Sequence, residues 1–209
     1  MQQDLLVWAS VAMLGIATCF QWRKIVRGTK PAKPIGWLIW SGVSLVTLAA
    51  LIKAGATPLQ LFIPSSQFVS TAVLLVAAML RHKDWRNPEH LIPSLWEKGA
   101  IICCVGGLGI WVIFGLEHPI IAIIGNGVAN FAGLLPMLLD AWEAPETTTP
   151  AYWAFRGISC IFSALAFTTE RFNLVGLLPQ TVGLVIAGSM LTVYLIRQKR
   201  RLALVELRY

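Results

Sequence analysis

Seven apolar runs, separated by short polar or proline-bearing connectors, set the terms on which this chain can fold: residues 5–20, 35–52, 59–80, 100–116, 119–139, 151–169 and 174–196. A helix that crosses a bilayer takes roughly 20 mainly apolar residues, with about 17 to 25 tolerated. In hydrocarbon each backbone N–H and C=O must be satisfied within the protein, which leaves helices and closed barrels as the spanning structures. Runs of this length predict helices, and the chain reads as an all-α integral membrane protein. Hydrophobic residues make up 56% of the 209 positions and charged residues 13%, which excludes an ordinary soluble domain. The first run lacks a basic leader, has Asp4 where lysines would stand, and is kept as a helix.

Lysine and arginine decide the expected orientation. With the amino terminus outside, the inner connectors and tail hold Arg23, Lys24, Arg27, Lys30, Lys33, Arg81, Lys83, Arg86, Lys98, Arg197, Lys199, Arg200, Arg201 and Arg208; Lys53 and Arg171 remain outside. That predicts an outer amino terminus, a cytoplasmic carboxyl terminus and a plasma or bacterial inner membrane. The net charge of +7 then serves topology, and no nucleic-acid partner is expected. The partners expected are lipid and a small solute, with self-association into a homo-oligomer left open.

The stretch Phe20–Trp40 returns 116 residues later as Pro136–Arg156. In both copies an apolar run enters a short connector, a proline follows (Pro34, Pro150), and a tryptophan stands three places on (Trp37, Trp153). The same shift carries Arg81 onto Arg197 and Lys83 onto Lys199, so it spans three runs per copy. Three crossings end on the side opposite their start, so two copies of like orientation need one crossing between them. Residues 100–116 supply it. The expected plan is a first three-helix bundle (1–83), a connector and linker helix (84–118), a second bundle parallel to the first (119–199) and a tail (200–209).

Polar residues inside the spans mark where a site would lie, because each is costly in lipid unless it faces protein or a cavity. Asn126 and Asn130 are four apart and share a helical face. Pro64 with Gln67, and Pro179 with Gln180, occupy matching regions of the third run of each copy, and interrupted segments in matching positions point to a transporter binding site. Ser44, Thr47 and Ser163 add hydroxyls, which also suit close helix packing. Arg156, inside the sixth run, needs a partner, and Asp140 across the connector is the expected one, forming an ion pair at the inner mouth. The cysteines, Cys19, Cys103, Cys104 and Cys160, lie in the spans without metal-ligand or disulfide spacing and read as packing residues. No H-E-x-x-H, no G-x-S-x-G and no carboxylate pair lies within the spans, so no catalytic residue, metal or cofactor is expected, and an enzyme is not.

The connector Phe20-Gln21-Trp22-Arg23-Lys24-Ile25-Val26-Arg27-Gly28-Thr29-Lys30 resembles the Pro-Gln-x-x-Lys-x-x-Arg-Thr-Lys connector of the PQ-loop families, among them the SWEET sugar transporters. Phenylalanine replaces the proline and one glycine is inserted; the second copy, Pro136-Met137, keeps the proline and loses the glutamine. The resemblance covers nearly the whole chain and implies the three, one, three plan with the amino terminus outside. It implies hinges at Pro34, Pro136 and Pro150, with Phe20 as the departure. It also implies transport of a small polar solute (a sugar, an amino acid or a related metabolite) by alternating access, and the polar residues of the spans, Gln67, Asn126, Asn130, Gln180, Ser44, Thr47 and Ser163, are the expected lining of its cavity. The family's sugar transporters carry asparagine where this chain has Gln67 and Gln180, so sugar specificity does not transfer. A receptor or scaffold of the same fold, without transport, is the alternative expectation.

Overall fold

A computed structural model describes residues 2–27, 34–81, 95–110, 113–114, 118–143, 145, 148–169 and 172–206. The regular elements among them are α-helices: α1 Gln2–Arg27, α2 Pro34–Lys53, α3 Pro58–Arg81, α4 Leu95–Ile110, α5 Pro119–Glu143, α6 Pro150–Thr169 and α7 Leu174–Glu206. Five are long and apolar enough to cross a membrane: α1, α2 from Gly36, α3, α5 from Ile123, and α7. The 16-residue α4 and the arginine-bearing α6 are not among these five. Residues such as Leu5, Leu80 and Ile102 turn apolar side chains outward, as expected where the surroundings are lipid.

The helices run further than the apolar runs predict. α1 continues through Arg23, Lys24 and Arg27, and α7 continues to Glu206, because hydropathy marks the stretch that tolerates lipid while lysine, arginine and glutamine propagate a helix well beyond it. α4 begins at Leu95, five residues before the apolar run and just past Pro93, beyond which no proline interrupts it.

Local chemistry fixes where helices stop and start. α2 ends on Gly55 at φ 70°, with Ala56 N–H donating to Leu51 C=O at 3.0 Å and Gly55 N–H to Ile52 C=O at 3.2 Å. That is a Schellman turn, which places glycine in the left-handed region. α3 opens at once on a capping box: Gln60 N–H donates to Thr57 Oγ1 at 3.3 Å, and Thr57 N–H to Gln60 Oε1 at 3.1 Å. Asn173, standing 116 residues after Thr57, caps α7 by accepting the Gly176 N–H on Oδ1 at 3.1 Å. Pro34 and Pro150 each occupy the first residue of a helix, where proline loses no hydrogen bond.

The neighbours form a set with an internal regularity. α3 packs on α1 and α2, α7 packs on α5 and α6, α1 lies along α6, and α2 lies along α5. Exchanging α1, α2 and α3 for α5, α6 and α7 leaves this set unchanged, and α4 stands apart, packed chiefly on α5. Two buried clusters result. One gathers Trp37, Trp40, Tyr152, Trp153, Leu74 and Ile186 near the ends where α2 and α6 begin, called here the connector face. The other gathers Val7, Leu51, Ile63 and Phe167 near the opposite face.

Candidate functional site

Polar residues of the helices meet along a seam where α2 lies along α5 and α1 along α6, and their bonds repeat with the sequence. Asn126 of α5 donates from Nδ2 to Thr47 Oγ1 at 2.6 Å and to Val43 C=O at 3.1 Å, tying α5 to α2. Ser10, Ser163 and Ser159 are their equivalents at a shift of 116 residues, taking Asn126, Thr47 and Val43 in turn. They form the matching contact between α1 and α6: Ser10 Oγ lies 2.6 Å from Ser163 Oγ and 3.0 Å from Ser159 Oγ, and Ser159 donates to Ser10 C=O at 2.9 Å. Between these two contacts Gln67 of α3 donates from Nε2 to Gln180 Oε1 of α7 at 3.0 Å.

Interhelical hydrogen bonds of this kind are worth about 0.6 kcal/mol on average and up to about 1.7 in membrane proteins. A double-mutant cycle of Asn126→Ala with Thr47→Ala should therefore give a coupling of about 0.6 to 1.7 kcal/mol, read from unfolding in detergent. Independent losses would show that the 2.6 Å contact carries no energy of its own.

A cavity of about 20 Å³ lies on this seam, bounded by Trp40, Val43, Ser44 and Thr47 of α2, Gln67 of α3, Asn130 of α5, Arg156 and Cys160 of α6, and Pro179, Gly183 and Ile186 of α7. It has room for about one water molecule. The repeat appears in its walls: Trp40 pairs with Arg156, Ser44 with Cys160 and Gln67 with Gly183, each 116 residues apart. A Cβ at Gly183 would stand 2.8 Å from Cys160 Sγ, so glycine is needed there to let the thiol reach the wall. Toward the connector face the aromatic rings close the seam, with Trp40 and Trp153 at 5.6 Å, Trp37 and Tyr152 at 6.0 Å, and Tyr152 and Trp153 at 4.8 Å, all edge-on.

The expected site residues divide into two groups. Gln67, Asn130, Ser44 and Thr47 line the cavity, and Gln180 adjoins it through its bond to Gln67. Asn126 and Ser163 serve the helix contacts on either side. The hydroxyls of Ser44 and Thr47 donate to C=O groups one turn back in α2, at 2.8 and 3.0 Å. Among the expected hinges, Pro136 falls within α5, and its side chain lies outside the described residues.

The side chain of Asp140 also lies outside the described residues, so its pairing with Arg156 is not part of this geometry. α5 and α6 each pack extensively on α7, which contacts both. The guanidinium of Arg156 sits over the Trp40 ring, 5.1 Å from its centroid, while Nε and Nη1 are buried without a hydrogen-bond partner. A cation over an aromatic ring gains about 0.5 to 2 kcal/mol, whereas taking an ion out of water costs several kcal/mol. The ring contact leaves the Nε and Nη1 donors without an acceptor. Trp40 Nε1, Tyr152 Oη and Gln180 Nε2 are likewise buried and unbonded.

Sequence reasoning missed Trp40, Cys160, Gly183 and the place of Arg156 in the cavity wall. The signal was present in the shift of 116 residues, which lays Trp40 on Arg156 and Ser44 on Cys160. At the connector face, Lys24 of α1 donates from Nζ to Thr148 C=O at 2.7 Å, so the end of the first helix is held against the connector of the second copy. Among the described residues no group of three His, Cys, Asp or Glu side chains is placed to hold a metal ion. Compared with protein-family models, with curated proteins and with solved structures, the chain matches none.

Proposed function

We propose that the chain is a divergent PQ-loop carrier that moves a small polar solute by alternating access through the cavity between two three-helix bundles. On this reading α1–α3 and α5–α7 are the bundles, α4 is the linker, and all seven helices cross the membrane with the amino terminus outside. The observation that carries it is the paired polar seam: Asn126 with Thr47 on one side, Ser10 with Ser163 on the other, and Gln67 with Gln180 between them. Polar contacts repeated about a central cavity in the membrane are what two halves rocking against each other require. Carboxamides suit such a path, since they donate and accept hydrogen bonds without carrying charge.

A receptor or scaffold without transport competes with this reading, favoured by the small volume of the cavity. Native Cys160 separates the two, because it is buried in the cavity wall. With Cys19, Cys103 and Cys104 replaced by serine, a membrane-impermeant thiol reagent should label Cys160 from one face of sealed vesicles in one state and from the other face in the alternate state. Complete protection from both faces, in folded protein, favours the scaffold.

A further inference from the structure

Resting on the carrier reading, we propose that the solute is a small organic monoanion whose carboxylate is taken by Arg156. Two observations come from the cavity wall itself and two from the groups beside it. Arg156 lines it and presents buried Nε and Nη1 groups, three N–H donors in all, with no acceptor. Trp40, also in the wall, holds its indole N–H buried and unbonded, lying against Gly133 of α5, where an added Cβ would be 3.3 Å away. Tyr152, one turn before Arg156 on α6, sets its buried hydroxyl beside the guanidinium, outside the cavity wall. Among the described residues, no aspartate or glutamate bounds the cavity.

The unmatched groups are thus mainly donors gathered about one cation. A neutral sugar would leave the charge uncompensated, and a cationic solute would be repelled. An anion supplies both the charge and the acceptors that the site lacks, and a planar carboxylate fits a guanidinium fork better than a spherical ion does. The rest of the wall sorts with the remainder of such a solute: Val43, Pro179 and Ile186 face a short carbon chain, while Ser44, Thr47, Gln67 and Asn130 offer polar partners that a bare halide could not use. The cavity as it stands holds about one water, so the anion enters as the halves part.

The test uses the purified full-length chain in detergent, with binding followed by tryptophan fluorescence. The probes are sodium propionate, its neutral isostere propionamide, and sodium chloride. Propionate should bind saturably and at least 10-fold more tightly than either of the others. Arg156→Gln should lose at least 10-fold in propionate affinity, and Arg156→Lys should recover part of it. If Arg156→Gln does not fold, Arg156→Lys, which keeps the charge and loses the planar fork, should by itself weaken propionate severalfold with unchanged thermal stability. Equal binding of propionamide, or propionate binding unaltered by these variants, overturns the proposal; chloride binding as tightly as propionate overturns the carboxylate assignment. Binding in this assay without flux in liposomes would sink the carrier and leave the anion site standing, whereas flux of a neutral solute with no propionate binding would do the reverse.

Discussion

Gly176→Val should be strongly destabilising, lowering the unfolding temperature by about 4 to 12 °C, on a cost of roughly 2 to 3 kcal/mol and about 2 to 4 °C per kcal/mol for a chain of this size. A Cβ at this position, in the first turn of α7, would meet Cδ1, Cε1 and Cγ of Phe167, whose side chain is fully buried in α6. Backbone entropy works the other way: replacing a helical glycine by alanine ordinarily gains about 0.5 to 1 kcal/mol. Overpacking against this fully buried ring outruns that gain. Gly176→Ala should therefore also lose stability, by less, and pairing it with Phe167→Leu should cost less than the sum of the two single changes. Thermal unfolding in detergent reads both results, and a neutral or stabilised Gly176→Ala would show that the contact between α6 and α7 is loose.

The second large effect is on movement. Ser10 and Ser163 face each other with hydroxyl oxygens 2.6 Å apart, which leaves their β-carbons near the separation of about 3.5–4.5 Å that a disulfide takes. With the four native cysteines replaced, Ser10→Cys with Ser163→Cys should form a bond on oxidation that staples α1 to α6. Neither residue bounds the cavity, so the staple leaves the path open and blocks only motion across this contact. Solute uptake should fall at least 10-fold on oxidation and return on reduction. Full activity in quantitatively cross-linked protein would mean that the halves do not part along α1 and α6.

Much of the site was legible in the sequence for one physical reason: in apolar runs this long, each polar residue is an exception that needs a partner. Gln67, Asn126 and Gln180 stood out on that ground, and each is buried and bonded to another helix. Ser10 did not, because a single serine in a span can satisfy itself on its own helix; its role emerges only when it is laid on Asn126 and found opposite Ser163. Arg156 was legible as a residue in need of a partner. Which neighbouring helix it would face depends on packing rotation, and that rotation brings it over Trp40. Trp40 itself carried no signal, since a tryptophan near a span end reads equally well as an interface anchor. Helix ends were legible where chemistry marks them, as in Thr57-Pro58-Leu59-Gln60, and illegible where a helix runs on past its apolar stretch, as α7 does to Glu206.

Uptake into proteoliposomes tests the central claim most directly. Vesicles carrying the purified chain, and matched vesicles without it, would be offered labelled neutral sugars, zwitterionic amino acids and short monocarboxylates under an imposed concentration gradient. The account predicts saturable uptake of at least one of these above the protein-free rate, fastest for a monocarboxylate and abolished by the reversible staple between α1 and α6. Folded protein that passes none of them faster than bare lipid would contradict it.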